Sequence, residues 1–371
     1  LSSRPPHRLQ SLDIMRGVVI VGMIVANFSM SADELRHFRV FPLLLHSRWA
    51  GFTVADFVFP AFLFMVGVAI AVRSESHSGL DSNAWRKVLV RTVRLFVLGL
   101  FLGNLSWVWM HGLTLAAGLR LMGVLQRIAI CYFVAVILYR LTSLRTVYLT
   151  AMSLLLLYWP LTLLPIPGGM KTDLHAPGLN FVSWFDREIL GPYRWVEGPV
   201  GYDAEGLLGT LPAIGQCLLG VAAGHWFARR ASGASQLVWF AVAGILAAIA
   251  GLLWGGVFPI VKDLWSSSFV LLSSGLAMTL LSLIQLAINA RVLPKPMLNF
   301  FGAFGINSIL AYCLHFLCLG VLAVSWSAPV YRGLISTLPA EFASLTMALI
   351  FVFAMWLPLI SLYRRGLYFR L

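Results

Sequence analysis

The sequence predicts an all-α fold, a polytopic bundle of about ten transmembrane helices with both termini in the cytoplasm. Three observations carry this reading. Hydrophobic residues make up 60% of the chain and charged residues only 11%, and the mean hydropathy is +0.87, a balance outside the range of water-soluble domains. Apolar segments of about 20 residues recur along the whole chain, each able to cross a hydrocarbon core about 30 Å thick as a helix. Lys and Arg, finally, gather in alternate loops.

Ten spans are expected, at roughly 13–32, 53–72, 88–109, 121–140, 146–164, 206–227, 236–255, 266–289, 299–324 and 341–362. With the N-terminus in the cytoplasm, the inner loops hold Arg73, Arg86, Lys87, Arg140, Arg145, Arg229, Arg230, Arg291 and Lys295, and the tail holds Arg364, Arg365 and Arg370. The outer loops hold most of the acids, among them Asp173, Asp186, Glu188, Glu197, Asp203, Glu205 and Asp263. The net charge of +13 is therefore read as membrane topology, with the lipid bilayer as partner and no nucleic acid. The first span carries Arg16 and Asn27 and no small-residue cleavage site, so it is read as a retained helix. Cys131, Cys217, Cys313 and Cys318 all fall inside spans without a CxxC spacing and are read as apolar packers, with no metal expected. The whole chain, 1–371, is treated as one membrane domain. Its one long connection, 165–205, is an extracytoplasmic loop in which Trp184, Phe185, Tyr193, Trp195 and Tyr202 interleave with carboxylates. That mixture suits sugar binding and equally suits an interfacial aromatic belt.

Ionisable and amide side chains inside spans are costly and mark functional paths, or else hydrogen bonds between helices. Asn27 lies near the outer end of the first span, His46 in the following loop and Asp56 one turn into the second span, all at similar depth. Gln126 and Arg127 sit in the outer half of the fourth span, where Arg127 requires an anionic partner such as Asp56 or Glu205. In "FGINSILAYCLHF", Asn307, Ala311 and His315 follow at i, i+4 and i+8, which predicts a polar seam on one helix face. Arg86, Lys87, Arg91 and Arg94 enter the third span as a basic run, either positive-inside anchoring or a mouth for phosphate. Patterns for a phosphate-binding loop, a zinc protease, a serine elbow and a dinucleotide fold are absent from the sequence.

Six ordered segments carry a resemblance: "SLDIMRGVVIVGMIVAN", "HSRWAGFTVADFVFPAFLF", "GVLQRIAICY", "YDAEGLLGTLPAIGQCLLGVAAG", "PIVKDLWSSSFVL" and "FGINSILAYCLH". Together they resemble the heparan-α-glucosaminide N-acetyltransferase family of transmembrane acyltransferases and its bacterial relatives. The resemblance implies acetyl-CoA held from the cytoplasmic side as cosubstrate, transfer to a terminal glucosamine amine on the far side, and a homodimer. It also implies that the family's active-site histidine, in "H-x-x-W-x-G", falls on His46, the closing asparagine of the first motif on Asn27 and the acid of "TVAD" on Asp56. Ala204 stands where relatives often carry Pro, and the lysosomal enzyme's extra N-terminal luminal region is not seen, which points to a bacterial inner-membrane member. Some bacterial relatives belong to N-acetylglucosamine utilisation, where a transport role is the rival expectation.

The expected mechanism makes His46 the general base for an amine, since an unperturbed imidazole titrates near pH 6.5. Asp56 then fixes its tautomer and Asn27 donates to the developing oxyanion. Asn307 and His315 are assigned to the acyl passage, and Arg91 and Arg94 to the CoA phosphates. Asp203, Glu205, Arg127 and Trp49 are assigned to the amino-sugar or glycan acceptor.

Overall fold

The computed structural model describes residues 9–74, 79–111, 119–196, 200–230 and 233–368. Glu197 and Arg370, counted above in the charge pattern, lie outside them. The described residues form twelve α-helices: α1 (Gln10–Arg36), α2 (Val54–Arg73), α3 (Ser82–His111), α4 (Val124–Leu141), α5 (Leu144–Thr162), α6 (Phe181–Leu190), α7 (Thr210–Arg230), α8 (Ala234–Trp254), α9 (Ser267–Asn289), α10 (Lys295–Ile306), α11 (Ser308–Leu334) and α12 (Ala340–Arg364). Nine are long and apolar enough to cross a bilayer, ten if α10 and α11 count as one bent span. The all-α polytopic architecture is thus the one the apolar segments predicted. Leu157, Trp239 and Leu253 stand exposed on outer helix faces, where hydrocarbon rather than water is the compatible solvent.

One element departs from expectation. The span predicted as a continuous helix over 299–324 is broken, with α10 and α11 meeting at 80°. Asn307 is the residue at the bend (φ −106°, ψ 37°) and its carbonyl accepts the Ala311 amide at 2.8 Å. An apolar, glycine-containing segment reads as one helix locally, whereas here α10 is held by its packing against α1. A Cβ on Gly305 would lie 1.7 Å from the Asp13 carbonyl oxygen, and one on Gly17 would lie 1.9 Å from that of Phe301. Only glycine lets these two backbones meet.

Contacts divide the chain into two compact units. The first comprises residues 1–47, 53–58 and 283–371. In it His37, left-handed at φ 55°, ends α1. The chain beyond is pinned where Phe38 stacks on Tyr331 at 3.8 Å and the Ser344 hydroxyl donates to the Arg39 carbonyl at 2.6 Å. The second unit comprises residues 48–52 and 59–282. Gly67 and Gly220 there bring α2 and α7 into backbone contact, since a Cβ on either would sit about 2 Å from a carbonyl oxygen, at 2.0 and 2.2 Å.

The long connection at 165–205 is not structureless. It contains α6, which Asn180 caps by accepting the Ser183 amide at 2.9 Å. Val182 of α6 joins Trp49, Tyr158, Leu174, Tyr202, Phe258, Val261 and Leu264 in one apolar cluster.

Candidate active site

The His46 segment is built around one carboxylate. Thr53 precedes α2, and Asp56 lies in the first turn. The Asp56 amide donates to Thr53 Oγ1 at 3.3 Å while the Thr53 amide donates to Asp56 Oδ2 at 3.1 Å. This reciprocal arrangement is a capping box that satisfies two donors a helix start would otherwise leave open. The same carboxylate accepts the Ser47 amide on Oδ2 at 3.2 Å. Its other oxygen, Oδ1, lies 2.7 Å from His46 Nδ1. A carboxylate only accepts, so Nδ1 carries the hydrogen and Nε2 keeps its lone pair. The Asp56 side chain is fully buried while that of His46 is 35% exposed. A fixed tautomer, a buried carboxylate behind it and a partly exposed ring are the elements of a general base.

A second pair lies in the same unit. Asn27 Nδ2 is 2.9 Å from His315 Nε2, and His315 Nδ1 is 2.6 Å from the Tyr312 carbonyl oxygen. The carbonyl accepts, so Nδ1 is the protonated nitrogen and Nε2 receives a hydrogen from Asn27. That bond sets which way the Asn27 amide points and leaves the second amide hydrogen for another acceptor. His315 and Asn307 are both fully buried. The structure therefore brings His46 to Asp56, and Asn27 to His315.

The remaining candidates belong to the second unit. Glu205 pairs with Arg120, which also reaches Asp203 at 3.2 Å and lies 5.2 Å over the ring of Trp195. Burial pushes the Glu205 carboxyl up, but the charges of Arg120, Arg127 and Lys262 outweigh it and hold it below its ordinary value. Asp203 is held by its surroundings. It accepts the Glu205 amide at 2.9 Å and the Trp195 amide at 2.9 Å, and its burial prevails over Arg120 to raise its carboxyl. Glu205, one of the two carboxylates expected beside Arg127, pairs with Arg120 while the Arg127 charge also lowers its carboxyl. Arg127 is fully buried, donates to the Gly206 carbonyl at 3.1 Å and lies 4.9 Å over the ring of Trp265. Trp49 is buried, donating its indole N–H to the Leu174 carbonyl at 2.9 Å and meeting Tyr202 edge-on at 5.0 Å. On α3, Arg91 lies 4.7 Å over Tyr132 and Arg94 is exposed.

Arg120, Asp186 and Thr53 were not singled out from sequence. Arg120 and Glu205 are brought together from 85 positions apart, so no local signal exists. Thr53 had one, because T-x-x-D opening an apolar run is a capping pattern.

The comparison that decides the family concerns 8–252, which match the model described as heparan-alpha-glucosaminide N-acetyltransferase, catalytic. The chain belongs to the heparan-alpha-glucosaminide N-acetyltransferase family. It is similar to the human protein named heparan-alpha-glucosaminide N-acetyltransferase, 28% identical over 374 residues covering 85% of this chain. It is similar also to the mouse protein of that name, 28% identical over 369 residues and 83% of this chain. The chain spans about half the length of these relatives, 53% of each. Both His46 and Asp56 lie inside the part matched to the model described as catalytic.

Proposed function

We propose that this protein moves an acetyl group from cytoplasmic acetyl-CoA to the amine of a glucosamine-type sugar on the other side of the membrane, with His46 as the general base. The observation that carries this reading is the His46–Asp56 pair, 2.7 Å apart, in a member of an acetyltransferase family. The acceptor's ammonium first gives up a proton to water and becomes a free amine. Its nitrogen lone pair attacks the thioester carbonyl, and the new C–N bond forms as the carbonyl electrons move onto oxygen. His46 Nε2 takes the second proton from that nitrogen, and Asp56 stabilises the resulting imidazolium. Collapse of the oxyanion breaks the C–S bond, and the departing thiolate takes the proton from the His46 imidazolium. The free amide hydrogen of Asn27 serves the oxyanion, a contribution of roughly 3–4 kcal/mol in comparable sites, with His315 holding that amide in place.

The test is His46→Ala. Transfer of label from acetyl-CoA to glucosamine by purified protein is expected to fall by at least about 10³-fold, with acetyl-CoA binding retained. Undiminished transfer in that variant overturns the assignment.

A second reading draws on the 80° break between α10 and α11, since broken helices line substrate sites in transporters. On that reading the protein is a permease for N-acetylglucosamine, and labelled sugar enters proteoliposomes without CoA and without dependence on His46.

A further inference from the structure

We propose that Thr53 is the positioning residue that sets His46 for proton transfer, an inference that rests on His46 being the base. A helix cap alone needs the Thr53 hydroxyl only as an acceptor, for the Asp56 amide at 3.3 Å. The same hydroxyl has two further neighbours, the Leu45 carbonyl oxygen at 2.8 Å and Asp56 Oδ2 at 3.0 Å. Leu45 is the residue immediately before His46. The residue immediately after it, Ser47, is held through its amide to Asp56 Oδ2 at 3.2 Å. His46 is therefore fixed at three points: its ring by Asp56 Oδ1, the carbonyl on its N-terminal side by Thr53, and the amide on its C-terminal side by Asp56. Thr53 is the group that joins the first of these backbone ties to the carboxylate. A hydroxyl carries one proton, and its choice between Leu45 and Asp56 Oδ2 keeps both acceptors within reach of the same donor. Small misplacements of a base cost rate out of proportion to their size, so this tie acts on turnover rather than on substrate affinity.

Three variants separate that role from capping. Thr53→Gly keeps a residue that serves well at the N-cap while removing the hydroxyl. Thr53→Val keeps the shape without it, and Thr53→Ser keeps the hydroxyl. The Gly and Val variants are expected to lose about tenfold or more in kcat for acetyl transfer to glucosamine, with KM for acetyl-CoA within about twofold. Thr53→Ser is expected to keep at least about a third of wild-type kcat. A second readout needs no turnover. In ¹⁵N-histidine spectra at mildly alkaline pH, with His46 assigned by its loss in His46→Gln, the wild type shows Nδ1–H and the Gly and Val variants a mixture with Nε2–H. Unchanged kcat and tautomer in both variants overturn the proposal, as does a Ser variant no better than Val, or a loss of kcat with the tautomer intact. Should the wild-type protein show no transfer at all, the enzymatic reading fails, and the tautomer spectra still decide what Thr53 does.

Discussion

Asp186 is a carboxylate placed where burial penalises its charged form. It is 2% exposed, its Oδ1 accepts the amides of Leu207 at 2.9 Å and Leu208 at 3.2 Å, and Gly206 leaves no room for a side chain against its other oxygen. Burial pushes its carboxyl up to about 6, against the pull of those amides and of Arg127 and with a further push from Asp203. An unfolded chain holds the same proton only below about 3.9. Below that pH both states are protonated and this group costs the fold nothing. As pH rises from about 4 to about 6 the unfolded chain ionises first, stability falls, and above about 6 the loss is complete at roughly 3 kcal/mol. Asp186→Asn fixes the neutral form and keeps an acceptor for both amides. Its melting temperature in detergent is expected to exceed the wild type's at pH 7.5 and to lose the dependence between about pH 4 and 6. An identical pH profile in the two proteins contradicts this account of the loop.

Among the elements, the contact of α1 with α10 depends on single atoms. A methyl group at Gly305 would meet the Asp13 carbonyl oxygen at 1.7 Å, which is backbone and has nowhere to go. At Gly302, one turn earlier on the same helix, the nearest atom would be Tyr363 Oη at an ordinary 3.4 Å. Alanine is the better helix former by about 1 kcal/mol, so Gly302→Ala is expected to be neutral or stabilising. Gly305→Ala is expected to lose about 1–3 kcal/mol or more through overpacking. Melting the two variants side by side checks this, and equal melting temperatures contradict it. The same contact explains why the break at Asn307 was not legible. Period and hydropathy across 299–324 describe a helix, while the bend is imposed by a neighbouring backbone nearly 300 positions earlier in the chain. The spans themselves were legible, because a run of about 20 apolar residues has few other physical solutions.

Across the whole molecule, the legible part of the site is the part that is local in sequence. His46 and Asp56 are ten positions apart, and a T-x-x-D start to an apolar run brings the acid back toward the loop before it. Asn27 and His315 are 288 positions apart, and sequence gave them separate roles, one as an oxyanion donor and one in an acyl passage. Their hydrogen bond makes His315 the partner that orients Asn27. The Arg120–Glu205 pair was equally hidden: Arg127, matched from sequence to Asp56 or Glu205, acts on Glu205 through its charge, while Arg120 makes the hydrogen bond. The central proposal is transfer of an acetyl group through the bilayer without passage of CoA or sugar. Proteoliposomes loaded with acetyl-labelled acetyl-CoA and bathed in glucosamine test it directly. Labelled N-acetylglucosamine is expected to accumulate outside, and at least about 10³-fold more slowly with His46→Ala. Label that stays inside on CoA, while externally added N-acetylglucosamine enters CoA-free vesicles, would contradict it.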